Sequence, residues 1–147
     1  MFKIKRNGIF SACLLDCGYN QISGVDYTAN YAPVINDVTW RVLLIVMLLK
    51  KYDVKLIDIK VAFLHGDLEE EIYMDCPQGL EDAEEDECVK LLHTIYDLVQ
   101  SARQLWKKLV NGFKNMGFKS GYPDPCLMWR KKLFGMIFIA LYVDDFL

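Results

Sequence analysis

No stretch of this chain stays apolar for long enough to cross a bilayer. The longest nearly uninterrupted run, Val42 to Leu49, falls well short of the roughly 20 residues that a transmembrane helix needs. The first residues also lack the apolar core of a signal peptide, so the expectation is an intracellular protein, not secreted, with no membrane partner. A disulfide framework is missing as well, because the five cysteines are odd in number and scattered, with Cys13 and Cys17 the one local pair. Histidine is scarce. His65 and His93 are the only two, and neither has cysteine neighbours at zinc-finger spacing, so buried or loop positions explain them better than metal ligation. Positive charge is not in excess either: the formal net charge is −3, which by itself argues against broad phosphate contacts. Its distribution qualifies that reading. Residues 81 to 87 hold six acids and no base, as a solvated acidic loop would, and the rest of the chain keeps a small positive excess.

What is present is apolar content, 53% of 147 residues, enough to exclude disorder and to build one compact unit around a core. The most informative part lies near the end. The apolar run Ile137 to Tyr142 leads through Val143 into two adjacent carboxylates, Asp144 and Asp145. Burying two like charges at a strand tip costs several kcal/mol unless something positive, such as a divalent metal ion, compensates them. A solvated hairpin tip is the other reading, since Asp is common in turns. Upstream, the β-like stretch Val54 to Phe63 carries Asp58, and two strands could converge on one site.

The ordered set Gly18-Tyr19-Asn20-Gln21, Gly24-Val25-Asp26-Tyr27, Tyr31-Ala32-Pro33-Val34, Asp58-Ile59-Lys60-Val61-Ala62-Phe63-Leu64-His65-Gly66, Glu70-Glu71-Ile72-Tyr73-Met74, Ile95 to Arg103 and Tyr142-Val143-Asp144-Asp145 resembles the reverse transcriptase of copia-type retrotransposon Pol polyproteins. The resemblance covers roughly residues 10 to 147. It implies an RNA-directed DNA polymerase that transfers deoxynucleotides onto an RNA or DNA template–primer by a two-metal mechanism. Asp58, Asp144 and Asp145 would be catalytic. They and the Ile59 carbonyl would hold two Mg²⁺ ions, while Ile59, Phe63, Gln100 and Arg103 would form the nucleotide site. Phe63 would lie beneath the sugar and exclude a 2′-hydroxyl, although core packing is the ordinary role of such an aromatic. A cytoplasmic particle or the nucleus would be the setting.

The implied fold is α+β: reverse-transcriptase fingers and palm, with an antiparallel palm sheet backed by helices at Val38 to Tyr52 and Ser101 to Met116. Fingers are expected over about 10–52 and 66–100, and palm over about 53–65 and 101–147. Residues 1–9 are basic, match no motif and are expected to fray. Pro33 and Asn36-Asp37 announce the first helix, whose lack of a polar face predicts burial nearly all round. Glu71 to Met74 and Cys88 to Leu92 are expected to form a hairpin around the acidic loop. Ser101 is the expected N-cap and Gly117 the terminator of the second helix, with Lys107 and Lys114 on a solvated basic face. Strands are expected at Cys126 to Arg130 and Met136 to Tyr142, the second carrying the Asp pair. Only two residues follow that pair, so its return strand should be nearly absent and one strand edge unsatisfied. The chain is expected to be a piece cut from a polyprotein, ending before the primer grip and thumb.

Several positions depart from the family pattern. Phe10-Ser11-Ala12-Cys13-Leu14-Leu15 stands where relatives read Phe-Lys-Ala-Arg-Leu-Val, removing both cations expected to hold the triphosphate. Each lost charge-assisted contact would cost ~1.5–3 kcal/mol. Asp97 replaces Gly, Val99 replaces Lys and Ala102 replaces Pro in the Gln100 segment. The isolated chain is therefore expected to be inactive. The alternative is a non-catalytic relic that acts at most as a nucleic-acid-binding or interaction module.

Overall fold

The computed structural model describes residues 2–77, 87–133, 135–143 and 145–146. In chain order these form β1 (Phe2–Ile4), β2 (Phe10–Ala12), a 3-10 turn at Gly18–Asn20, α1 (Asp37–Lys50), β3 (Ile57–Asp58), a second 3-10 turn at Ala62–His65, β4 (Asp67–Asp75) and β5 (Cys88–His93). There follow α2 (Ser101–Asn115), β6 (Lys119–Ser120), β7 (Leu127–Lys132), β8 (Gly135–Tyr142) and β9 (Asp145–Phe146). The fold is α+β. A five-stranded antiparallel sheet runs in the order β3-β9-β8-β7-β6, while β1–β2 and β4–β5 form separate two-stranded ribbons.

Helix α1 starts where the sequence predicts, because the Asn36 side chain accepts a hydrogen bond from the Val38 amide at 2.9 Å and Asp37 lies in the positive first turn. It stops at Lys51, whose left-handed φ of 53° lets the Tyr52 amide reach back to the Met47 carbonyl at 3.0 Å. Helix α2 ends as expected, with Gly117 at φ +83°. Its start differs: Gln100 is the cap residue and contributes no side-chain cap bond, while the Ser101 hydroxyl donates to the Ile95 carbonyl at 2.6 Å.

Both helices join the sheet in one core, built on Leu43 of α1, Val110 of α2, Met128 of β7, Ala140 and Leu141 of β8, and the loop residue Ile35. A smaller core of Ile72, Leu91, Ile95 and Leu98 lies under the β4–β5 ribbon. The two parts of the main core are tied by Asp124, a buried carboxylate that accepts from the Asn36 amide at 2.8 Å and the Cys126 amide at 3.0 Å. It thereby fixes the entry to α1 against the β6–β7 loop.

Three expectations are corrected. Helix α1 is not buried all round: Leu43 is its one fully buried residue, because only the face carrying Trp40, Leu43 and Met47 meets the core. Strand β3 is two residues long and does not extend over the β-like stretch Val54 to Phe63, since it pairs only with the equally short β9. The start of the chain does not fray, as β1 pairs with β2 in the register Phe2↔Ala12, Lys3↔Ser11 and Ile4↔Phe10. The return strand is nearly absent, as expected: β9 is two residues long, pairs with Leu141 and Tyr142 of β8 and with β3, and leaves Gly135 to Ala140 of β8 paired only with β7 among the described strands. The β4–β5 hairpin forms as expected, with Ile72↔Leu91, Tyr73↔Lys90 and Met74↔Val89 in register, and most of the acidic loop lies outside the described residues.

Candidate active site

Strand pairing brings Asp58 and Asp145 together. Asp58 of β3 is the direct cross-strand partner of Asp145 of β9, and Asp145 is in turn the partner of Tyr142 of β8. Residues directly opposite in antiparallel strands share a face with Cβ atoms ~4.5–5.5 Å apart. The row Asp58, Asp145, Tyr142 is therefore contiguous across three strands, and all three side chains are exposed. Among the described residues neither aspartate is ion-paired, so water alone screens their repulsion.

Asp145 is on β9, not on β8. Strand β8 ends at Tyr142, Val143 follows it in a turn, and Asp145 is the cross-strand partner of Tyr142. Asp144 itself lies outside the described residues. Val143 has φ +57° and Val61, three residues after Asp58, has φ +51°. A β-branched residue in the left-handed region is an outlier costing ~1–2 kcal/mol, and such strain concentrates at functional sites. Here one strained valine accompanies each carboxylate-bearing segment.

The nucleotide-site residues cluster elsewhere. Gln100 is fully buried: its amide donates to the Asp26 carbonyl and its oxygen accepts from the Gln21 amide, both at 3.1 Å. Gln21 completes the link by accepting from the Val99 backbone at 2.8 Å. Phe63 is half-buried in the second 3-10 turn, edge-on to Tyr96 at 5.1 Å between centroids and 82° between planes. Its carbonyl accepts the buried Thr94 hydroxyl. Arg103 donates to the Tyr31 carbonyl at 2.9 Å. Ile59 lines an apolar cavity with Leu105, Leu109 and Phe113 of α2. Among the described residues no hydrogen bond or ion pair joins Gln100 or Arg103 to Asp58 or Asp145.

The substitution of Asp97 for Gly has a backbone explanation. Asp97 sits at φ +70°, where glycine is the natural occupant and Asp is among the few other residues tolerated. Its carbonyl abuts the α-carbon of Gly18 so closely that any Cβ there would collide with it. The loop at 18–21 and the segment 94–100 are thus closed on each other by Gly18, the Gln21–Gln100 pair and the hydrogen bond from the Asp16 amide to the Tyr96 carbonyl.

Cations near this region are engaged by β4. Lys107 lies at the surface but is engaged there, binding both Glu69 oxygens at 2.7 Å, and Lys108 binds Asp67 at 2.8 Å. Those lysines hold the Glu69 and Asp67 carboxyls below their ordinary range. The Cys126 thiol, by contrast, is pushed up to about 11 by burial and by the charge of Asp124. An apolar cavity of about 380 Å³ lies between α1, residues 52–57, Phe113 and β8.

The expectation of two Mg²⁺ ions is corrected. Among the described residues no group of three or more His, Cys, Asp or Glu side chains is arranged to hold a metal ion. Asp58 and Asp145 are exposed neighbours without a described third donor.

A sequence model of the family described as reverse transcriptase (RNA-dependent DNA polymerase) matches residues 2–147. The chain belongs to the reverse transcriptase family. The match includes the first nine residues apart from Met1. This reverse transcriptase chain is 36% identical over 154 aligned residues to a retrovirus-related Pol polyprotein from transposon TNT 1-94 of Nicotiana tabacum, covering 100% of the chain and 12% of that protein. It is 32% identical over 139 residues to one from transposon RE2 of Arabidopsis thaliana, covering 94% of the chain and 10% of the relative. It is also 35% identical over 92 residues to a putative transposon Ty5-1 protein of Saccharomyces cerevisiae, covering 61% and 30% respectively. The chain spans about a tenth of the length of the two plant polyproteins. No solved structure matches it. Homology therefore reaches copia- and Ty-type transposon Pol proteins, a nucleic-acid polymerase lineage.

Reasoning from sequence missed three contributors. Tyr142 extends the aspartate row, and its place as the first residue of the Tyr-Val-Asp-Asp string was the available signal. Gln21 and Thr94 anchor the segments behind the site, and nothing in their local sequence pointed to partners 79 and 31 residues away.

Proposed function

We propose that the chain is the fingers-and-palm part of a copia-type RNA-directed DNA polymerase. The five-stranded sheet with both helices is the palm, and the β1–β2 and β4–β5 ribbons belong to the fingers. Helix α1 falls in the 10–52 stretch but shares the sheet's core, so it goes with the palm. In the whole polyprotein, Asp58, Asp144 and Asp145 form the acidic end of the site where a primer 3′-hydroxyl meets an incoming deoxynucleotide on an RNA or DNA template. Phe63, Gln100 and Arg103 support the nucleotide side. The observation that carries this reading is the Asp58↔Asp145 register beside the strained Val143 hairpin.

The isolated chain is inactive in this reading, because Ser11 and Cys13 replace the triphosphate-binding cations and Lys107 and Lys108 are bound by Glu69 and Asp67. Extension of a labelled DNA primer on an RNA template by the purified chain tests it: no extension is expected. Extension that is lost in Asp145→Asn would overturn the inactivity, and extension unchanged by Asp58→Asn or Asp145→Asn would overturn the assignment of these carboxylates. The engaged lysines favour a second reading, a non-catalytic relic. Filter binding at several salt concentrations separates the two, since template contacts give a negative log–log salt slope and an inert relic gives none.

A further inference from the structure

The exposed side of α1 is patterned as a helix-pairing seam. Val38, Val42, Ile45 and Leu49 recur at intervals of four, three and four residues, the spacing of alternating a and d positions in a coiled coil. They are 68, 53, 56 and 76% exposed, and they lie opposite the face that carries Leu43 and Met47 into the core. Val38 and Val42 border a shallow apolar groove beside Leu127 and Phe138 and stay more than half exposed. The helix carries Asp37 in its first turn and Lys50 with Lys51 at its end, and no acid between Asp37 and Lys50.

We infer that α1 pairs antiparallel with α1 of a second copy of this chain. Two features select this occupant. The seam is self-complementary about its midpoint, so that Val42 of one copy meets Ile45 of the other and Val38 meets Leu49, forming four closed a–d layers without a polar intruder. The ends are complementary in charge, because antiparallel pairing lays the Asp37 end beside the Lys50–Lys51 end and opposes the helix dipoles, whereas parallel pairing stacks like on like. The interface is isologous and closes as a two-fold dimer. Asp37 keeps its exposed pair with Arg41 at 3.0 Å, which leaves the seam free.

Sedimentation equilibrium of the purified chain across micromolar to submillimolar concentrations tests this. The mass is expected to rise from 17.1 kDa toward twice that value with concentration. Val42→Glu and Ile45→Lys, both at exposed positions, should each stay monomeric with an unchanged far-ultraviolet circular dichroism spectrum. Mixing the two variants should restore a dimer, because Glu at 42 of one chain then faces Lys at 45 of the other. A native chain that is monomeric throughout, a dimer indifferent to either substitution, or monomeric variants that fail to associate on mixing would each overturn the proposal.

Discussion

Removing the carboxylate of Asp124 should be among the most damaging single changes in the main core. Asp124 is only 2% exposed and spends both oxygens on backbone amides, Asn36 at 2.8 Å and Cys126 at 3.0 Å. A hydrogen bond to a charged group contributes ~1.5–3 kcal/mol, and truncation also leaves two amides without their acceptor. Asp124→Ala should therefore cost about 3–5 kcal/mol. Asp124→Asn keeps one acceptor oxygen and should cost about half as much. Against a total stability of ~5–15 kcal/mol the alanine variant lies near the folding threshold, and the asparagine variant keeps the series readable. Urea unfolding followed by tryptophan fluorescence reports on this core directly, because Trp40 and Trp106 pack against it. With a slope of about 2 kcal/mol per molar, the alanine midpoint should fall by roughly 1.5–2.5 M and the asparagine midpoint by about half that. An Asp124→Ala midpoint within about 0.3 M of the parent, at unchanged slope, would refute the role assigned to this residue.

Three further outcomes follow from named contacts. Val143→Asn places a residue tolerant of φ +57° in the β8–β9 loop and should raise stability by about 1 kcal/mol, and an unchanged or lower urea midpoint would contradict the strain. The buried Cys126 thiol, raised to about 11, should resist iodoacetamide at pH 8 while the exposed Cys17 and Cys88 react, as read by peptide mass spectrometry; because its folded value lies above its ordinary 9.0, the stability it contributes is present below pH 9 and is lost as pH climbs toward 11. Asp67 and Glu69 have lowered values in the folded chain, so their pairs with Lys108 and Lys107 stabilise above the ordinary carboxylate range and lose that contribution as pH falls through the lowered folded values. Both pairs are largely exposed, so the difference in melting temperature between the parent and the double variant Asp67→Asn/Glu69→Gln should be small at pH 7 and vanish in acid.

Local signals in the sequence were legible where one residue type has one physical job. Asn36 caps α1, Gly117 ends α2 and the alternating segments around residues 72 and 91 pair in a hairpin, all as their patterns predict. The outward half of α1 was not legible, because a helix apolar on every side reads as buried whether or not a partner is there. Strand β3 was overextended for a related reason: Val54 to Ile59 has strand propensity throughout, but its length is set by a two-residue partner at the far end of the chain. The site was half legible. The Asp58 and Asp145 pairing followed from motif order, whereas the burial of Gln100 against Gln21 and Asp26 and the engagement of Lys107 by Glu69 are side-chain contacts across large sequence separations.

The central claim is that residues near the middle and the end of the chain meet as adjacent strands, with Asp145 seated between Asp58 and Tyr142. Backbone cross-strand nuclear Overhauser effects in the isotopically labelled chain address it most directly. Contacts from residue 145 to both 58 and 142, together with contacts from 146 to 57 and 141, are the predicted result. A β8 end that shows contacts to β7 alone, with residues 145 and 146 giving no long-range effects, would contradict the account.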